Sequence, residues 1–269
     1  MYAFSTNSQM HFEPRIISLY YSMKLEQHFE NLIQEHGQIE QLCTTAIEHW
    51  RQIFDRKDFI ENLESYSQLI GTSNPPDSEP LRKLQMYFKN VRKAGMYLRT
   101  TFIFFDQAHE DPERLHTFVW QLGQFNDKFL FPEQSSAHAE ILKKQLALNE
   151  NWAHFDIRPD SSENVLNVSS FPLYRLRALL ESSQLKAEEF HELRKKLRLF
   201  ANIYTLSAKK SHDVGIQQMK AVLLEINEEL GTINDAMVQD EIRGIQPYDA
   251  NVLTIPTDLQ LKIKSLLSG

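Results

Sequence analysis

His191-Glu192-Leu193-Arg194-Lys195-Lys196-Leu197-Arg198-Leu199-Phe200, wound into a helix, separates into one cationic face and one apolar face. At about 100° per residue, His191, Arg194, Lys195 and Arg198 share an arc of about 100°, and Leu193, Leu197, Phe200 and Tyr204 form the stripe beside it. A long helix is predicted over Lys186 to Ala208. The next periodic segment, Asp213 to about Arg243, is the longest. It has Leu224, Ile226, Leu230, Ile233 and Met237 as apolar positions and encloses the hexamer Leu230-Gly231-Thr232-Ile233-Asn234-Asp235.

The same order of features occurs upstream. A helix predicted from Leu81 to about Asp106 carries Val91-Arg92-Lys93 in its middle, and the helix after it contains Leu122-Gly123-Gln124-Phe125-Asn126-Asp127. Arg82, Lys89, Arg92, Lys93 and Arg99 fall within an arc of roughly 120°, opposite Leu84, Phe88, Val91, Leu98 and Phe102. The hexamer alone can recur by chance. Its pairing with an upstream Arg-Lys helix marks an internal repeat. Neither strip interleaves acids at i,i+4, as a self-compensated exposed helix does, and unpaired cations on one face repel each other. The pattern points to an external anion; the bland alternative is an ordinary solvated face.

Around this pair, a periodic segment runs from Ile16 to Phe54, with Gly37 as its candidate break. A short helix covers Phe59 to Leu69, and Gly71 to Pro80 is a loop dense in turn formers. Asp111-Pro112-Glu113 predicts an N-cap, a first-position Pro and a first-turn acid for a helix that reaches about Leu130, where Pro132 stops it. Ser136 to Asn149 is helical, Asp156 to Ser170 reads as loop, Leu173 to Ser182 is a short helix, and a last one follows Pro256. Alternating β-branched runs are missing, so no strand is predicted. The expected class is all-α, with a tail (1–15), a first helical repeat (16–150) and a second (168–269).

Composition narrows the function. With 42% hydrophobic and 24% charged residues and only 8 Gly, the chain is that of a helical globular protein. A net charge of -7 argues against a general nucleic-acid coat, so a polyanion site has to be a local patch. Cys43, the one cysteine, excludes an internal disulfide and a Cys-based zinc site and suits a reducing compartment. No apolar run of bilayer-spanning length and no signal sequence is read, and a soluble, cytoplasmic protein is expected.

The stretch His191 to Phe200 followed by Leu224 to Val238 resembles the CHAD family, conserved histidine α-helical domains whose basic helix opens with H-x-x-R-K and whose next helix closes with L-G-x-x-N-D. Lys89-Asn90-Val91-Arg92-Lys93 with Arg99, then Leu122 to Asp127, is similar to that family's first repeat. The likeness spans roughly Leu81 to Val238. It implies two antiparallel four-helix units related by a pseudo-twofold and packed into one domain, whose basic helices face a shared groove that binds inorganic polyphosphate without catalysis or cofactor. It also implies attachment to polyphosphate granules. The implied ligand set is Lys89, Arg92, Lys93, Arg99, His191, Arg194, Lys195 and Arg198. Lys89 stands in the histidine's place in the first copy, while Met96, Tyr97, Leu199 and Ala201 stand where basic residues are common. Arg and Lys in a row suit closely spaced phosphates, and a protonated His191 would donate to a phosphate oxygen. Asp127 and Asp235 are assigned to structure, each pairing with an Arg of its own repeat.

Rival readings stay open. Glu113-Arg114-Leu115-His116 and Glu188-Glu189-Phe190-His191 have the i,i+3 spacing of ferritin-like di-iron ligands, although clear single-Glu partners are missing. His212-Asp213 suggests a metal-dependent phosphohydrolase but lies at an inferred helix start. Gly-rich phosphate loops, H-E-x-x-H, G-x-S-x-G and Glu-x-Glu-x-Lys are absent. The remaining alternative is a helical scaffold for a protein partner.

Overall fold

Asp55, Ser161 and Asp213 each begin a helix by accepting backbone N–H groups that have no partner within the first turn. Asp55 Oδ1 takes those of Lys57 (2.8 Å) and Asp58 (3.0 Å), Ser161 Oγ that of Asn164 (3.3 Å) and Asp213 Oδ1 that of Ile216 (2.9 Å). The computed structural model describes residues 24–70, 78–148 and 151–268. Among them are ten helices: α1 (Leu25–Gln34), α2 (Gln38–Ile53), α3 (Arg56–Ile70), α4 (Glu79–Phe105), α5 (Glu113–Asp127), α6 (Pro132–Ala147), α7 (Ser162–Glu181), α8 (Ala187–Ser207), α9 (Val214–Ile242) and α10 (Thr257–Leu267). The chain is all-α apart from β1 (Leu185–Lys186) and β2 (Val252–Leu253), two residues each, paired antiparallel with Leu185 opposite Leu253.

Gly37 does break the first periodic segment: its φ of 74° is a left-handed turn between α1 and α2. The tail and Ile16 to Met23 lie outside the described residues, as do 71–77 of the expected loop; Glu79 and Pro80 already belong to α4. Three expectations are corrected. Pro132 does not stop a helix but opens α6 in its first turn, where its missing N–H costs nothing. Pro112, not Asp111, is the cap of α5, because the Asp111 carboxylate is engaged by Arg99 and His116. Asp156 to Ser170 is not all loop: α7 starts at Ser162 and runs through Pro172. The hydroxyls of Ser169 and Ser170 bond the carbonyls of Leu166 and Asn167 in the turn before the proline.

Packing follows the apolar stripes. Helices α3, α4, α5 and α6 each touch the next, and α6 closes back on α3; α7, α8, α9 and α10 make a second closed ring of contacts. Helix α2 lies on α4 and α8, and α1 lies on α7 and α10. The first ring is filled by aromatic side chains. Phe88 meets Phe59 edge-on at 5.3 Å and Phe125 at 5.0 Å, and Trp50 stacks on Phe54 at 4.4 Å while its Nε1 donates to Trp152 O at 2.7 Å. Gly95 permits this approach, since a Cβ there would lie 2.5 Å from Val119 Cγ2. Between α6 and α7 the chain is tied to the end of α4, with the buried Asp106 carboxylate accepting Ala108 N and Arg158 N. Among the described residues no helix is long and apolar enough to cross a membrane.

Trp50→Ala removes a fully buried ring and a buried hydrogen bond, and is expected to cost about 3–5 kcal/mol. Asp213→Ala removes only a cap and is expected to cost about 1 kcal/mol. Urea unfolding compares the two; equal losses would contradict the packing described.

Candidate anion-binding site

Helices α4 and α8 pack against each other on buried rings: Phe200 of α8 meets Phe104 of α4 at 5.7 Å and Phe29 of α1 at 5.4 Å. At the contact, Asn202 Nδ2 donates to Thr100 Oγ1 at 2.9 Å, and that hydroxyl donates in turn to Met96 O at 2.8 Å. The contact through Phe104 and Thr100 of α4 brings residues of the two basic strips together. Arg92 and Arg99 of α4 lie within Coulombic reach of Arg194, Lys195 and Arg198 of α8.

The two hexamers complete the arrangement. The Arg92 guanidinium lies on Gly123 of α5: a Cβ at that position would stand 2.9 Å from Nη2 and 3.1 Å from both Cζ and Nε. Arg194 approaches Gly231 of α9 less closely, Nη2 being 3.7 Å from a Cβ built there. In each hexamer, then, the glycine faces the arginine of the preceding basic helix, but only Gly123 has to be a glycine for its arginine to lie where it does. Of the asparagines, Asn234 Oδ1 accepts from Tyr248 Oη at 3.0 Å, whereas Asn126 donates to Leu122 O at 2.8 Å and its buried Oδ1 has no partner.

Crowding of like charges sets the electrostatics. Burial first, then Arg194, Arg92 and Arg99, against the opposing pull of Asp127, together push the Arg198 guanidinium down to about 9. Arg194 is lowered by burial and by Arg92 against the pull of Asp235, and Lys195 by burial and then by Arg99 and Arg198. The Nε atoms of Arg92 and Arg198 are buried without a hydrogen-bond partner. His191 keeps a solvent-facing edge, yet desolvation, with Lys195, Arg198 and Arg194 adding to it, lowers its pKa to about 4 against a hydrogen bond to Asn234. The ring is therefore neutral at pH 7. Asp127 is also partly open to solvent, but the protein around it raises its carboxyl above the usual range. Arg92 and Arg194 oppose that rise and Asp235 adds to it. Asp127 thus acts on arginines of both basic helices and not only on that of its own segment.

Of the eight residues expected to bind, Arg92, Arg194, Lys195, Arg198 and His191 converge. Arg99 faces the same group, but its Nε is bonded to Asp111 and its Nη2 donates to His116 Nδ1 at 2.8 Å, so it arrives partly neutralised. Lys89 is exposed one turn before Arg92. Lys93 turns away to Tyr97, with Nζ 5.9 Å from the ring centroid, and to Lys209. Tyr248 was not anticipated; it sits in a 3-10 turn (Tyr248–Ala250) and anchors Asn234 beside Arg194. The two Glu-x-x-His pairs stay apart in role, because His116 bonds Arg99 while His191 sits among cations that repel a metal ion. Among the described residues no group of three or more His, Cys, Asp or Glu is gathered to hold a metal. Asp213 of the His212-Asp213 pair is the cap of α9. Comparison of the chain with protein-family models, with curated proteins and with solved structures gave no match.

Gly123→Ala is expected to displace the Arg92 guanidinium, and Gly231→Ala to leave Arg194 in place, as read from their side-chain NMR signals. Both variants should keep their stability or gain up to about 1 kcal/mol from helix propensity. Equal disturbance of both arginines would contradict the different clearances.

Proposed function

We propose that the chain binds inorganic polyphosphate, or a polyanion of similar charge spacing, without catalysis, where α4 and α8 meet. The observation that carries this reading is the incompletely compensated cation cluster of Arg92, Arg194, Arg198 and Lys195, with the Nε donors of Arg92 and Arg198 buried and unpaired. Desolvated guanidinium groups that repel one another favour an anion able to supply charge and acceptors together. The resemblance of the H-x-x-R-K and L-G-x-x-N-D stretches to the CHAD family supports the same ligand class. We further read the α3–α6 and α7–α10 rings as two copies of one four-helix unit, related by a pseudo-twofold near the Asn202–Thr100 bond. Those two residues are 102 apart in sequence, and the same spacing separates Arg92 from Arg194. On this reading the protein works in the cytoplasm, beside polyphosphate granules.

A second reading, a surface for a protein partner, draws on α7, where Phe171 and Tyr174 are 59% and 65% exposed and Lys196 Nζ lies 5.2 Å from the Phe171 ring centroid. It is separated from the first by Phe171→Ala with Tyr174→Ala, which leaves polyphosphate affinity unchanged if the anion reading holds.

Long-chain polyphosphate should bind tightly at low ionic strength and weaken steeply with added salt. Arg198→Ala should weaken binding roughly 10- to 100-fold, the loss of one charge-assisted contact. Combined Arg92→Glu, Arg194→Glu and Arg198→Glu should abolish it. No calorimetric signal from the wild type at low salt would sink the proposal.

The pH dependence has a defined sign. An anion beside His191 raises a pKa that is about 4 in the free protein, so binding takes up a proton and affinity increases as pH falls from 8 towards 5. Asp127 contributes in the same direction, since its carboxyl is already raised and its protonation removes a competing charge. His191→Gln should flatten most of the slope; affinity that instead increases with pH would contradict this account.

A further inference from the structure

Lys93, which leaves the α4/α8 cluster, joins another one. At the corner where α2, α4, the turn after α8 and the start of α9 meet, Lys209 Nζ donates to His49 Nδ1 at 3.4 Å, and the His49 ring lies 5.6 Å from that of Tyr97, beneath Lys93. Accepting at Nδ1 leaves Nε2 as the N–H donor of the ring. Lys220 of α9 acts on Lys209 from the far side and donates to Gln217 Oε1 at 3.4 Å; Gln217 Nε2 clamps the turn by donating to Ala208 O and Ser211 O.

This corner is not explained by helix-end electrostatics alone. Cations do favour the carbonyl end of a helix such as α8, and Lys210 serves in that way while pairing with Glu48 at 3.4 Å. Lys209, by contrast, points at a histidine and two further lysines. Among the described residues, none of Lys93, Lys209 and Lys220 has a carboxylate within 4.0 Å. His49 is half-buried, and desolvation, Lys209 and Lys93 lower its pKa to about 4.

We propose that His49, Lys93, Lys209 and Lys220 form a second anion site, distinct from the α4/α8 cluster, that takes one phosphoryl group, either free or carried on a phosphate chain. Lys93 and Lys209 both bear on His49 and Lys220 bears on Lys209, so three ammonium groups from three chain segments gather about a histidine of a fourth, and the clamped turn holds the backbone of Lys209 before any ligand arrives. A phosphoryl group, with its several acceptor oxygens and concentrated charge, matches compact ammonium donors that approach from different directions.

The two histidines report the two sites in one spectrum. Inorganic tripolyphosphate or orthophosphate added at pH 7 should move the His49 ring NMR signals and raise the His49 pKa from about 4, in the wild type and equally in the Arg92→Glu, Arg194→Glu, Arg198→Glu variant. Orthophosphate suffices if the ligand is free phosphate; only tripolyphosphate acts if the group is carried on a chain. Lys93→Ala with Lys209→Ala, both exposed positions, should abolish the His49 response and weaken tripolyphosphate binding by roughly 3- to 10-fold, while His191 still responds. A silent His49 beside a responding His191 overturns the corner and leaves the α4/α8 reading intact; a responding His49 beside a silent His191 does the reverse. Loss of the His49 response in the triple arginine variant, or its survival without Lys93 and Lys209, also overturns a site of its own.

Discussion

Packing α4 on α8 imposes a cost that the rest of the molecule has to offset. Each helix buries one apolar face, and the contact through Phe29, Phe104 and Phe200, closed by the Asn202–Thr100 hydrogen bond, sets the cationic faces beside each other. Two like charges about 4 Å apart repel by roughly 4 kcal/mol at the effective dielectric of a protein surface. A fully buried phenylalanine contributes about 1.5–3 kcal/mol. Three buried rings and a hydrogen bond can therefore hold the contact against repulsion of that size, but without a wide margin. Arg198, lowered to about 9 first by burial and then by Arg194, Arg92 and Arg99, has three arginines acting on it.

The hexamers contain what limits this cost from within. Glycine at 123 lets Arg92 lie flat on α5, where an alanine methyl would push it back towards the other guanidinium groups. Aspartate at 127 places a counter-charge on Arg92, Arg194 and Arg198, and is itself destabilised by burial and by Asp235. The compensation stays incomplete, and its incompleteness is what the proposed anion would relieve. Asp111 does the same more completely for Arg99, which is why that residue, though facing the cluster, is the least available of its arginines.

Where a feature follows from a helix's own periodicity, the sequence displays it. The apolar stripes of Leu84, Phe88, Val91 and Leu98 and of Leu193, Leu197, Phe200 and Tyr204 are buried as their spacing requires, and the breaks at Gly37 and Asp213 are local chemistry. Where a feature depends on a neighbour distant in sequence, the signal fails. Asp111 has the look of a cap until Arg99, on the helix before it, takes its carboxylate. The polar run before Phe171 hides a helix because only Val165 and Ser169 of its helical part, 162–170, are buried, and Pro172 suggests an end that the turn tolerates. Arg92 and Lys93 share an arc on paper, but the line of contact with α8 passes between them. His49 and Tyr248 carry no mark in their own segments, since each gains its role from groups far along the chain.

An acidic chain with a small cationic patch differs in kind from a basic coat. Its net charge of -7 repels polyanions at long range, and beyond a Debye length of about 8 Å the patch and its surroundings blur together. On the proposed reading, attraction is felt only by a ligand that comes close to the patch, where the unpaired Nε donors of Arg92 and Arg198 are already removed from solvent. A nucleic-acid duplex presents phosphates on a broad rigid cylinder, which brings more of an acidic chain into range. A thin unbranched phosphate chain presents the same charge with nothing attached to hold it off. For the proposed ligand, selectivity therefore arises less from the cations themselves, which any phosphate satisfies, than from the acidic chain that surrounds so small a patch.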